Sequence, residues 1–169
     1  MANGKVLVVM GSDSDFPVME GCFKMLNKFG VEFEADVASA HRTPERAHEL
    51  AATAEEKGFK VIIAAAGLAA HLAGVLAAST TLPVIGVPCK GGALNGVDAL
   101  YATVQMPTGI PVATVAIDGG SNAAILACQI LALSDAELSQ ALKDYKKSLA
   151  SSVAERDARL KKKIAEMDK

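Results

Sequence analysis

The stretch Ser39-Ala40-His41-Arg42-Thr43-Pro44 sets an imidazole beside a guanidinium, between an apolar strand-like segment and a Thr-Pro pair suited to open a helix. An imidazole exchanges protons near neutral pH. A guanidinium is a forked, permanently charged donor that matches phosphate or carboxylate. The pair also fits a plain surface position beside an ordinary helix cap, so its chemistry depends on what neighbouring loops bring.

Two other loops carry unusual residues. Met10-Gly11-Ser12-Asp13-Ser14-Asp15 follows the first apolar run. Gly11 permits a tight turn there, and free amides and hydroxyls at a helix start can hold phosphate. Carboxylates repel phosphate, so a division of labour fits: serines and amides take the phosphate, and an aspartate accepts hydrogen bonds from sugar hydroxyls. Either Asp13 or Asp15 can equally serve as a helix cap. The stretch Ala64–Gly74, "AAAGLAAHLAG", is small and apolar, with His71 as its one strongly polar side chain. Gly67 allows close backbone approach, and the small residues leave room for a planar ligand or another subunit. His71 alone also fits a satisfied core histidine. His48, inside the helix after Pro44, reads as an ordinary surface residue, and Cys89 as an inert buried thiol.

The elements that must position these loops alternate. "KVLVVMG" is β-rich and ends at Gly11. Met19, Cys22, Phe23, Leu26 and Phe29 recur at helical spacing, with Gly30 as a stop signal. "VEFEADVAS" predicts a second strand. Thr43 can cap the next helix, with Pro44 first and Glu45 in the first turn. That helix carries Ala47, Leu50, Ala51 and Ala54 inward and is expected to end near Gly58. "KVIIAAAG", "LPVIGVP" and "PVATVAI" predict three more strands, with helices near 69–78, 95–104 and 122–133.

Strand–helix alternation predicts right-handed crossovers and a parallel sheet. The fold class is α/β: a three-layer α/β/α sandwich with a flavodoxin-like sheet of order 2-1-3-4-5. Ligands on such sheets bind beyond the carboxyl ends of the strands, near the switch between first and third. Residues 1–133 form this domain. Residues 134–169 form a helical extension, with Leu138, Leu142, Tyr145 and Leu149 on one apolar stripe before the charge-rich segment Glu155–Lys169. It is expected to pack on a neighbouring subunit.

Totals narrow the function. A chain of 169 residues that is 51% hydrophobic can bury one core. A net charge of -2 and 4% aromatics without Trp argue against nucleic acid as partner. Three cysteines without C-x-x-C spacing suit a reducing cytoplasm rather than a disulfide frame or zinc site. The apolar run before Gly11 is too short for a signal peptide. Val61–Cys89 lacks charge, but glycines, His71 and Pro83 interrupt it, so buried strands explain it better than a membrane span. Metal-ligand spacing, a nucleophile elbow, a P-loop and a dinucleotide fingerprint are all missing. What remains is acid–base chemistry on a small phosphorylated ligand.

"MGSDSD", "SAHRTP", "AAHL" and "VQMP" followed by "GIPVATVAI", in this order between Val6 and Leu133, together resemble the N(5)-carboxyaminoimidazole ribonucleotide mutases of purine biosynthesis. The resemblance implies a flavodoxin-like subunit in a homo-octamer, active sites where subunits meet, and a reaction without metal or organic cofactor. In that reaction the carboxyl group moves from the exocyclic nitrogen to ring carbon 4 of aminoimidazole ribonucleotide. It implies further that Ser12 and Asp15 hold the ribose-phosphate, with Ser14 and Ser39 nearby, and that Arg42 pairs with the phosphate. His41 then corresponds to the general acid–base and His71 to the second pocket histidine, with Gly67 and Leu72 offering backbone to the base or carboxylate. The chain departs from the family pattern at Leu68, usually glycine, at Ala73, usually proline, and within "CKGGALNG". Related carboxylases, which add free carbon dioxide, are the nearest alternative. A receiver module needs an acceptor aspartate where Ala65-Ala66-Gly67 stand, and a flavin carrier needs aromatic rings that these loops lack. A nucleotide-binding scaffold without activity is the fourth possibility, against which both histidines speak.

Overall fold

Five parallel strands in the order β2-β1-β3-β4-β5 build the sheet of this protein, seen here in a computed structural model that describes residues 4–167. The strands are β1 (Lys5–Met10), β2 (Phe33–Val37), β3 (Phe59–Gly67), β4 (Val84–Cys89) and β5 (Ala113–Thr114). The helices are α1 (Phe16–Lys28), α2 (Pro44–Ala52), α3 (Leu72–Ala77), α4 (Val97–Val104), α5 (Gly120–Leu131) and α6 (Ala136–Met167). Residues 1–3 and 168–169, the ends of the two expected segments, lie outside the described residues.

The apolar strands are continuous because both faces of the sheet are covered. Val6, Val8 and Met10 of β1 join Val61, Ile63 and Ala65 of β3 in the core beneath α1 and α5. Their alternates Leu7, Val9, Ile62 and Ala64 pack on the opposite face with Ala47 and Ala51 of α2 and Leu72 and Leu76 of α3. This is the predicted three-layer sandwich, with the predicted strand order. No helix among the described residues is long and apolar enough to cross a membrane.

Helices α1 and α5 lie side by side on the first face and pack tightly at Gly120. A Cβ on Gly120 would stand 2.6 Å from the Val18 carbonyl oxygen, a backbone atom that cannot swing aside. Gly120→Ala should therefore destabilise the fold by about 1–3 kcal/mol despite alanine's better helix propensity. A shift of the denaturant midpoint with unchanged slope would measure it.

Two elements fall well short of their predicted extents. Helix α2 stops at Ala52 rather than near Gly58, and turns fill the interval to Gly58, whose φ of +85° belongs to the left-handed region. Strand β5 keeps only two residues, paired with Ile85 and Gly86. It is an edge strand, and Pro88 of its partner β4 has no N–H to extend the ladder. Beyond the pairing, Val115 N–H still donates to Gly86 O at 3.0 Å and Asp118 N–H to Pro88 O at 2.9 Å. Helix α6 is unbroken over 32 residues. Asp135 accepts from Leu138 N–H at 2.9 Å at its start, Leu138 is buried, and Tyr145 meets Phe29 edge-on. Past Tyr145 its apolar residues Leu149, Val153, Leu160 and Ile164 are exposed.

Candidate active site

The carboxyl ends of β1, β2, β3 and β4 open into one cleft of about 500 Å³. Gly11, at the end of β1, donates its N–H to Ala65 O of β3 at 2.9 Å, which fixes the floor. A single 3₁₀ turn, Asp13–Asp15, follows. Ser12 caps it in reciprocal fashion: Ser12 Oγ accepts from Ser14 N–H at 3.3 Å, and Asp15 Oδ2 accepts from Ser12 N–H at 3.0 Å. Of the two aspartates that the sequence offers as caps, Asp15 is the one that reaches back. Ser14 Oγ lies 2.9 Å from Ser12 Oγ, so both hydroxyls meet at the cleft wall.

Burial pushes the Asp15 carboxyl above its ordinary value of 3.8, against the N–H bonds from Ser12 and Gly11 that favour its charge, and the Asp13 carboxylate adds to the rise. A raised carboxyl stabilises the fold below the unfolded-state value, and that contribution is lost as pH climbs through the folded-state value. Above the folded-state value the half-buried Asp15 charge is thus a stability cost. Asp15→Asn keeps an acceptor for Ser12 N–H, so the ligand-free melting temperature at pH 7 should hold or rise, and that advantage should vanish near pH 4. Thermal melts at the two pH values would check it.

Beyond β2, Ser39 organises the loop. Ser39 Oγ accepts from Arg42 N–H at 3.2 Å and from Arg42 Nε at 3.5 Å. Thr43, expected to cap α2, makes no side-chain bond to that helix; its Oγ1 accepts from Ser39 N–H at 2.9 Å and donates to Ser39 O at 3.2 Å. The local reason is that a threonine four residues on closes this turn, and Pro44 leaves the helix one fewer N–H to cap. Arg42 makes no ion pair among the described residues, and with Ser39 it also borders a second hollow of about 370 Å³.

His41 Nε2 lies 2.9 Å from His71 Nδ1, with the rings nearly perpendicular at 70°. One ring donates and the other accepts, so the bond holds a single hydrogen between two bases. Both rings are exposed in the cleft. His71 is therefore not a satisfied core histidine. Leu72, next to it, is buried with its side chain in the core, so it can offer the cleft only backbone.

Gly67 has a packing role as well: a Cβ there would stand 3.2 Å from Cys89 O of β4. Leu68 follows with φ +54°, left-handed for a leucine and 55% exposed, where glycine carries no such strain. A Cβ on Gly92 would stand 2.7 Å from Leu68 Cδ2, so the leucine lies over the β4–α4 loop. That loop brings Lys90, Gly91 and Gly92 to the cleft wall, three residues of the divergent "CKGGALNG" stretch to which the motifs gave no role. Their signal was positional: they follow the strand beside β3. Cys89 is buried with its thiol pushed up to about 12, first by desolvation and then by the carboxylates of Asp15 and Asp118, as suits an inert thiol. His48 does more than expected, since its Nδ1 lies 3.0 Å from Ser79 Oγ and ties α2 to the end of α3. Among the described residues no three His, Cys, Asp or Glu gather as a metal site.

A cleft built from these loops can bind an anion through Arg42 and the serines, hold sugar hydroxyls at Asp15, and move a proton through the histidine pair. The sequence matches the AIR carboxylase family over residues 5–152. The chain belongs to that family. Among its AIR carboxylase relatives is the N5-carboxyaminoimidazole ribonucleotide mutase of Pyrococcus abyssi, 60% identical over 145 residues that make up 86% of this chain and 83% of that one. The phosphoribosylaminoimidazole carboxylase of Candida albicans is 53% identical over 146 residues, 86% of this chain but 26% of that longer protein. The crystal structure of Treponema denticola PurE superposes with a TM-score of 0.81 at 31% identity, covering 92% of this chain and 97% of the other. The five-stranded order of the family is thus the order seen here.

Proposed function

We propose that this chain is an N5-carboxyaminoimidazole ribonucleotide mutase of purine biosynthesis, an isomerase acting on a small nucleotide. The observation that carries the reading is the 2.9 Å bond between His41 and His71 in a cleft flanked by Arg42, Ser12 and Asp15. It is supported by the name and coverage of the Pyrococcus relative.

His41 gives a proton to the carbamate nitrogen, the N–C bond breaks, and the carboxylate leaves as carbon dioxide. The electron-rich ring carbon 4 attacks the carbon dioxide, forming a carbon–carbon bond. The proton still on carbon 4 then passes to His41, which returns to its starting state, so the cycle has no net proton demand. His71 sits in hydrogen-bond contact with the ring that changes charge and steadies it in both states. Acid–base assistance of this kind contributes about 100- to 10,000-fold. Holding carbon dioxide beside carbon 4 adds a proximity advantage. Arg42 with Ser12, Ser14 and Ser39 holds the phosphate, Asp15 the ribose, and backbone at Gly67 and Leu72 the base or carboxylate.

Residues 1–133 act as the catalytic domain. The 134–169 extension belongs to a homo-octamer in the cytoplasm and packs on a neighbouring subunit, and that packing is supported by the exposed apolar residues along α6 and by Val97, Tyr101 and Val104 exposed along α4.

The Candida relative's name favours a second reading, carboxylation of aminoimidazole ribonucleotide by free carbon dioxide. Supplying each nucleotide with and without bicarbonate separates the two. Conversion of the carbamate without bicarbonate is the expected result; dependence on bicarbonate with no use of the carbamate would replace the mutase by the carboxylase.

A further inference from the structure

The proposed substrate and product each carry two anionic groups, a phosphate and a carboxylate, and Arg42 accounts for one. Lys90 is the second cation on the cleft wall. It stands at the end of β4, three strand spacings from the end of β2 in the order β2-β1-β3-β4, or about 14 Å of backbone. Both side chains are long enough to shorten that span from either end. The histidine pair lies between them, reached from β2 and β3. Lys90 makes no ion pair among the described residues, and it is an exposed residue.

Its backbone, by contrast, is fixed. Lys90 N–H donates to Asp118 Oδ1 at 2.7 Å, and Asp118 itself is held with φ +58° and its N–H on Pro88 O at 2.9 Å. A non-glycine residue in the left-handed region persists where surrounding structure holds it, and such residues concentrate at functional sites. The fixed point is the root of the lysine, which lines the cleft with a side chain in no ion pair among the described residues.

We infer that Lys90 binds the migrating carboxylate, while Arg42 binds the phosphate at the other end. The inference rests on the mutase reading and adds to it a carboxylate-specific contact. A cation that meets the carboxylate in both substrate and product strengthens binding of both, so its loss falls on KM more than on kcat.

Titration of 4-carboxy-5-aminoimidazole ribonucleotide and of aminoimidazole ribonucleotide, which lacks only the carboxyl group, tests it directly. In full-length Lys90→Ala, affinity for the carboxylated nucleotide should fall about ten- to hundredfold, the worth of a charge-assisted hydrogen bond, and affinity for the other should change less than about threefold. Lys90→Arg should restore most of the loss. The Asp118 contact uses backbone and survives both substitutions, so the fold is not at stake. Equal weakening of both nucleotides, or of neither, overturns the assignment while leaving the mutase reading in place. A wild-type protein that binds neither nucleotide overturns that reading and the assignment with it.

Discussion

Replacing His41 with asparagine should lower kcat by about 100- to 10,000-fold. Product affinity should stay within about tenfold. The amide keeps a planar polar group near the imidazole's place and can still bond to His71, so the cleft keeps its shape and its anion contacts. It cannot take up and release a proton at neutral pH, and the proposed reaction needs the same group to do both in one cycle. Loss of chemistry with retained binding is the signature of an interaction used in the transition state rather than the ground state. Steady-state rates in the isomerisation direction, paired with calorimetric titration of the product, give the two numbers. Turnover at the wild-type rate would take His41 out of the mechanism and leave the ring pair as a structural bond. A variant at His71 sharpens the point: it leaves the donor in place and removes only its partner, so its loss of rate should be the smaller one.

That ring pair shows how far the sequence carries the site and where it stops. The order 2-1-3 puts the ends of β2 and β3 on either side of β1, about 10 Å apart. Two side chains can bridge such a gap, so His41 and His71 were legible as neighbours once the strand order was read from the β–α alternation. Their direct bond depends on where each ring turns after its strand, and residues 30 positions apart carry no pattern for that. Continuous burial of Val6–Met10 and of Val61–Ala65 made β1 and β3 legible, because a strand covered on both faces has nothing polar to interrupt it. Strand β5 was overcalled for the opposite reason. Its apolar run has strand composition, but only a ladder partner makes a strand, and Pro88 withholds a donor. Lys90 and Gly92 stood out only as part of the departure in "CKGGALNG" and received no role, because a lysine and a glycine in a loop are ordinary until topology sets them beside β3. The Leu68 departure was visible as an odd residue, yet its left-handed backbone and its reach over Gly92 belong to geometry alone.

Arg42→Ala should raise KM about ten- to hundredfold and change kcat much less. The guanidinium has no carboxylate partner among the described residues, and its Nε is steered by Ser39 Oγ. A phosphate far from the reacting carbon is held alike before and after the carboxyl group moves, and uniform binding of that kind appears in KM. Geometry adds a second expectation. Arg42→Lys keeps the charge but loses the planar fork and the Nε contact, so it should recover only part of the affinity. The decisive comparison removes the phosphate from the ligand instead. The corresponding nucleoside should bind wild type and Arg42→Ala with nearly equal, weak affinity, because the contact that the substitution deletes is already gone. If the nucleoside still loses about tenfold on the Arg42 variant, the guanidinium is reading another part of the ligand, and the phosphate belongs with the serines and amides that begin at Gly11.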